Sequence, residues 1–304
     1  MGDAVVVGVD GGSLSLGAAR WAAAEAARRG APLRIVLAYH WRVPAVMAPR
    51  GGLADTARQL AEMLVADVVR DVETVAPGTS IQGTAVLGRA ADVLLQESGD
   101  AALLVVGTRA RHRAAGIVLG SVSQQVAMHA TCPVVVVRGR ADPSGDVLVG
   151  IDGSESADRA LDLAFTEAGL CRSGLVAVRA IEAPVAPPAL GAPPLLHDTA
   201  ETRRSLSAEA AAEVAAAGER HPDVRWECHG IAGDAANVLT DRSRRARLAV
   251  VGSRGHGGFT GLLLGSVGMH LLQRADCPVM IAHERPDGGP HTSGAAADTP
   301  EAGS

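Results

Sequence analysis

The chain has 304 residues, room for about two domains, and at 47% hydrophobic and 20% charged it is globular rather than disordered. A formal net charge of −5 argues against a nucleic-acid binder, and no apolar run approaches the roughly 20 residues of a membrane span. The chain contains no lysine, which excludes a P-loop and a pyridoxal-phosphate Schiff base.

Met1 leads directly into a strand-like run, so no export signal and a cytoplasmic location are expected. In the first half, short Val, Ile and Leu runs at 4–9, 33–39, 81–86, 103–107 and 134–137 predict strands. They alternate too little to have one wet face, as expected of parallel strands buried on both sides. Alanine-rich helices are predicted between them at 15–29, 55–75, 90–98 and 121–130. Residues 139–145 form a turn-rich linker. The second half repeats the order, with helices at 156–168, 199–220, 235–243 and 266–274. The composition of 285–304 predicts a disordered tail.

The repeat is direct. VVVGVDGGS (5–13) recurs as VLVGIDGS (147–154), LLVVGTRA (103–110) as LAVVGSRG (248–255), and GIVLGSV (116–122) as GLLLGSV (261–267). The closing strands repeat as ATCPVVVV and ADCPVMIA. The reading is α/β: two tandem, open, five-stranded parallel-sheet (Rossmann-like) domains, 1–140 and 146–284, with helices on both faces. Ligands of such sheets sit beyond the C-terminal strand ends where strand order reverses, which selects the loops after strands one and four.

In the second half the fourth-strand loop runs from Gly252 through Gly255 to Gly265, Ser266 and Val267. A helix N-terminus with glycines before it suits a phosphate. Ser266 is placed either to cap that helix or to donate to a phosphate oxygen. Asp152, followed by Gly153, brings a carboxylate to the same edge, to meet a ribose hydroxyl, to help hold a metal on the phosphates, or only to cap its own turn. No catalytic group and no metal-ligating cluster is expected. Cys132 and Cys277, each before a proline, read as packed small residues. His256 reads as a solvated loop residue, and residues 184–194 as a flap.

The spacing G-x2-G-x9-G-[ST], downstream of V-G-x-D-G-S, resembles the universal stress protein family over both repeats. The resemblance implies a nucleotide-binding subset holding ATP, or ADP, with or without Mg2+. It also implies pairing of domains through the fifth strand and no settled enzymatic reaction. By that resemblance Gly252, Gly255, Gly265, Ser266 and Val267 would line the phosphates, Asp152 would meet the ribose–phosphate side, and the Ala180 backbone would sit on adenine. The two halves would form a pseudo-dimer through 134–137 and 279–282, with a further homodimer left open.

The first half keeps Asp10, Gly107, Gly120, Ser121 and Val122 but has Ala110 where the second glycine belongs, followed by Arg111 and Arg113. If that position needs positive φ, alanine costs about 1–2 kcal/mol there, which the arginines would partly offset. His40 reads as the counterpart of Ala180. The leading function is a nucleotide-dependent stress-response module. A slow ATPase, a nucleotide-free dimerising scaffold and an electron-transfer flavoprotein are the alternatives.

Overall fold

A computed structural model describes residues 3–40, 53–110, 117–140, 144–181, 199–255 and 264–283. The first half runs β1 (Ala4–Val9), α1 (Ser13–Arg29), β2 (Leu33–Tyr39), α2 (Leu53–Glu73), β3 (Ile81–Leu87), α3 (Ala90–Ser98) and β4 (Ala101–Gly107). A two-residue pair, β5 (Arg109–Ala110) and β6 (Ile117–Val118), leads to α4 (Ser121–His129) and β7 (Val134–Val137). The second half runs β8 (Val147–Gly150), α5 (Glu155–Cys171), β9 (Leu175–Ile181), α6 (Thr199–Gly218), β10 (Trp226–Ala232) and α7 (Ala235–Ser243). It closes with β11 (Leu248–Gly252), α8 (Ser266–Arg274) and β12 (Val279–Ala282). The expected 184–194 flap, His256, Arg111, Arg113 and the 285–304 tail lie outside the described residues.

The two halves share one ten-stranded sheet of order β10-β9-β8-β11-β12-β7-β4-β1-β2-β3. Within each half of this sheet every pairing is parallel, the separate β5–β6 pair being antiparallel. The halves meet where β12 pairs antiparallel with β7, Val279 opposite Val136 and Ile281 opposite Val134. Equivalent strands paired antiparallel imply an approximate two-fold axis through the junction, the expected pseudo-dimer. Both strands are apolar and almost wholly buried, so the junction seals two edges that would otherwise invite aggregation.

Alternate strand residues supply two apolar layers. Val5, Val7, Val147 and Val149 face a layer that takes in Ala22 and Ala26 of α1, Val65 of α2, Ala164 of α5 and Val214 of α6. Val6, Leu104, Leu148 and Ala249 face the opposite layer, with Leu94 of α3, Val126 of α4, Leu239 of α7 and Leu271 of α8. Alanines on α1 and α5 let these helices lie close to the sheet, which compensates for a chain with only 2% aromatic residues. The expectation of strands buried on both sides fails at the outer edges: β3 and β10 are largely exposed or half-buried because each has only one neighbour. Cys132 and Cys277 are buried, and burial pushes the Cys277 thiol up to about 12, which suits packing rather than redox chemistry.

Titratable groups are buried at the junction on both faces of the sheet. On one, the fully buried Glu25 of α1 and Glu167 of α5 occupy equivalent positions in the two repeats and are bridged by Arg29, which donates to both. Arg28 also donates to Glu25, at 2.7 Å. Burial first, and the Glu25 carboxylate second, push Glu167 up to about 8. Burial also opposes ionisation of Glu25, but Arg29 and Arg28 outweigh it and hold that carboxyl below its usual range. On the other face Arg138 donates to the α8 carbonyls of Leu271 (2.6 Å) and Gln273 (2.9 Å), a cation on a helix C-terminus. Burial pushes His283 down to about 4.

These groups limit stability from both sides of neutrality. Folded Glu167 keeps a proton that the unfolded chain releases near 4.5, so its contribution is full below that value and is lost as pH rises to about 8. His283 stays neutral when folded, so its contribution is full above about 6.5 and is lost as pH falls to about 4. Glu167→Gln is expected to flatten the alkaline fall in melting temperature and to leave the acid fall in place. Parallel wild-type and variant curves above pH 6.5 would contradict this.

Candidate functional site

In the second half, chain order reverses beside β8, which has β9 on one side and β11 on the other. A parallel sheet opens a crevice at such a point. There a cavity of about 440 Å3 is lined by Asp152, Ala180, Gly252, Gly255, Gly265, Ser266 and Val267. Seven of the eight second-half residues singled out in the sequence therefore come together. Gly153 does not line the cavity; it shapes the turn behind it, with φ 81°. Its counterpart Gly11 has φ 78°. The positive φ that the sequence suggested for the fourth-strand loop thus belongs to the first-strand loop.

The turn is held by its own carboxylate. Asp152 Oδ1 accepts from the Ser154 amide at 3.0 Å and the Ser154 hydroxyl at 2.6 Å. Ser154 is in turn the N-cap of α5, accepting from the Ala157 amide at 3.3 Å. Asp10 accepts from the Gly12 amide at 3.0 Å in the same way. Both aspartates thus cap their own turns, and for Asp152 this occupies Oδ1 and fixes the direction of Oδ2. A Cβ added to Gly255 would lie 2.5 Å from Asp152 Oδ2. Gly255 has no positive φ, so the backbone-strain argument for this position is overturned. Gly255 is needed because Asp152 packs directly on its backbone.

The end of β11 docks on the first turn of α5. A Cβ on Gly252 would collide with the Ser156 hydroxyl and come within 2.8 Å of the Ser156 carbonyl oxygen. Ser156 donates to the Arg254 carbonyl and accepts from the Arg254 amide at 3.4 Å. The far end of the loop is tied back by the Gly265 amide, which donates to Ser253 O at 2.8 Å. Gly265 is the N-cap of α8 and Ser266 its first residue, with no side-chain cap. Ser266 is therefore not the cap that was one of its two readings. The first intrahelical bond is from Met269 to Gly265, so the amides of Ser266, Val267 and Gly268 have no acceptor within the helix. Val178, Ala180, Leu239 and Val251 form the apolar wall. The β8–β9 ladder ends at Gly150 and Val178, so the Ala180 peptide lies beside the cavity past the end of β8.

The first half holds a smaller counterpart of about 350 Å3, lined by Asp10, Gly107, Gly120 and Val122 but not by Ser121. Ser121 is the first residue of α4 behind Gly120, again not a cap. Ala38, not His40, is the counterpart of Ala180: both line a cavity, both sit next to last in their strands, and His40 is exposed beyond β2. Where α8 has Gly268, α4 has Ser123, which donates to Gly107 O at 2.6 Å. Sequence reasoning passed over Ser156, Leu239 and Gly150, although glycine recurs within both first strands. A Cβ on Gly150 would meet Leu239 at 2.7 Å, so this glycine makes room for the apolar wall.

The universal stress protein family model matches residues 1–138 and again 144–283. The chain belongs to the universal stress protein family. A universal stress protein of Mycolicibacterium smegmatis is 35% identical over 298 residues, covering 92% of this chain and 97% of the relative. One from Mycobacterium tuberculosis is 34% identical over 294 residues, covering 92% and 96%. The crystal structure of a universal stress protein from Archaeoglobus fulgidus superposes with a TM-score of 0.68 at 19% identity, over 94% of this chain and 97% of that one, and supports the fold. No helix among the described residues is long and apolar enough to cross a membrane.

Gly252→Ala is expected to destabilise the chain by about 1–3 kcal/mol, because the clash falls on backbone that cannot move without lifting β11 from α5. Chemical denaturation checks it. A change within about 0.5 kcal/mol would show that the junction is looser than described.

Proposed function

We propose that this universal stress protein is a cytoplasmic adenine-nucleotide-holding module, with ATP or ADP in the second-half cavity and the nucleotide state setting its partners or assembly. The observation that carries the reading is the meeting of Asp152, the Ala180 peptide and the uncapped α8 N-terminus around one cavity of about 440 Å3, within the range of small-molecule sites. The orphan amides of Ser266, Val267 and Gly268 suit phosphate oxygens, with the backbone of Gly252, Gly255 and Gly265 lining the same space. The apolar wall suits a purine ring, and the Ala180 backbone offers it directional hydrogen bonds. Asp152, with Oδ1 spent on its turn, would present Oδ2 to the ribose–phosphate side. The first-half cavity, through Asp10, Gly107, Gly120 and Val122, is read as a second and weaker site.

A ligand that binds only the folded state at a hundredfold excess over Kd adds about 2.7 kcal/mol. ATP and ADP are therefore expected to raise the melting temperature by several degrees and GTP by much less. Equal shifts with GTP would remove the assignment of adenine to the Ala180 wall. Gly255→Ala is expected to weaken ATP binding about tenfold, or about 1.4 kcal/mol, by displacing Asp152 rather than by backbone strain. Ala110→Gly is expected to leave the number of tight sites unchanged in calorimetry, because the equivalent Gly255 has no positive φ. Incubation with ATP and chromatography of the released nucleotide separate the alternatives: unchanged ATP for a holding module, ATP turned over to ADP for a slow ATPase, no bound nucleotide for a scaffold.

A further inference from the structure

The two repeats serve as controls for each other, and at one place they diverge in a concerted way. α1 and α5 end in the same turn. In the first, Gly30 donates to Ala27 O at 3.2 Å and Ala31 to Ala26 O at 2.9 Å; in the second, Arg172 donates to Gly169 O at 3.1 Å and Ser173 to Ala168 O at 2.9 Å. The turn requires a left-handed residue. Gly30 takes it at φ 61°, and Arg172 is held there at φ 50°, the one non-glycine residue with positive φ among those described. The fold needs no arginine at this position, since its twin does without. An outlier kept where glycine serves is a reason to look for function.

Arg172 lines a cleft of about 690 Å3 at the N-terminal ends of β8, β9, β10 and β11, together with Asp146, Asp223, Arg225 and Arg247. By strand register and repeat alignment, the first half has Ala4, Gly78, Ser80 and Ala102 at those four positions. All five charged positions of the cleft are thus uncharged in the twin, and the same strands still pair. Two of the arginines are held in place. Arg247 donates through Nε to Gly145 O at 3.0 Å and through Nη1 to Cys171 O at 3.5 Å, and Arg225 lies 3.1 Å from Asp146 Oδ2. Asp146 is itself anchored by the Gly174 amide at 2.8 Å. The cleft carries three guanidinium groups against two carboxylates in a chain of net charge −5.

We propose that this cleft is a second binding site, separate from the strand-end cavity, for a small phosphomonoester that also bears hydroxyl groups. Arginine forks match the oxygens of a phosphate, and Arg172 and Arg247 border the space such a group would fill. Asp223, which also lines the cleft, is an acceptor for ligand hydroxyls, which a bare anion lacks. The site lies at the C-terminal end of the 17-residue α5, about 25 Å from the turn at Asp152.

Isothermal titration of the full chain with glycerol 3-phosphate and with inorganic phosphate tests the proposal. Saturable binding of the ester is expected, with inorganic phosphate weaker. Arg172→Gly restores the twin's residue and is expected to weaken ester binding about tenfold while raising the melting temperature by about 2 °C, a combination that misfolding cannot produce. Arg225→Ser, again the twin's residue, is expected to weaken binding independently. No saturable binding of the ester, or binding unchanged in both variants, would overturn the proposal. Equal affinity for inorganic phosphate would contradict the role given to Asp223.

Discussion

The antiparallel pairing of β7 with β12 is the constraint on which the rest of the molecule depends. Each half is a five-stranded parallel sheet with one apolar terminal strand, and an exposed edge of valines is a hazard in water. Joining those edges makes one ten-stranded sheet and buries both. Because the joint is antiparallel, strands of the two halves run in opposite directions. The two strand-end cavities therefore open on opposite edges of the sheet, and neither contributes a residue to the other. The junction is also where titratable groups are buried, Glu25, Glu167 and Arg29 on one face and Arg138 and His283 on the other. Buried charges seldom add stability over well-packed apolar groups. Here Glu167 and His283 make the stability of the fold depend on pH.

Duplication separates what the fold requires from what a site requires. Features present in both halves, such as the aspartate that caps its own turn, the glycine inside the first strand and the uncapped helix after the fourth, form the common cradle. Features present in one half mark divergence. Ser123 bonded to Gly107 narrows the first cavity where Gly268 leaves the second open. The left-handed Arg172 belongs to the same class of difference, on the opposite edge of the second half.

Much of this was legible in the sequence, and the misreadings have physical causes. Helices at 90–98, 235–243 and 266–274 and strands at 4–9, 33–39 and 134–137 fall where the apolar pattern put them, because buried parallel strands and alanine-rich helices differ sharply in composition. The glycine loop lines the strand-end cavity, but Gly255 is a glycine for a different reason than positive φ. A glycine is needed either for positive φ or because a Cβ would collide, and sequence alone does not distinguish the two. At Gly255 it is the collision with Asp152, a residue about a hundred positions away that the fold returns to its side. His40 was matched to Ala180 because strand ends are the least certain part of a pattern; the register of β2 and β9 selects Ala38. Glu25 and Glu167 could not be read at all. An acid in an alanine-rich helix looks solvent-facing until the other half supplies its partner.

The central claim is that a nucleotide lies between Asp152 and the α8 N-terminus in the second half. A crystal structure of the full chain grown with a slowly hydrolysed ATP analogue tests it most directly. The account predicts phosphate oxygens on the amides of Ser266, Val267 and Gly268, the ribose beside Asp152 Oδ2 and the adenine against Ala180 and Val251. An analogue bound elsewhere, or a second-half cavity left empty at saturating analogue, would contradict it.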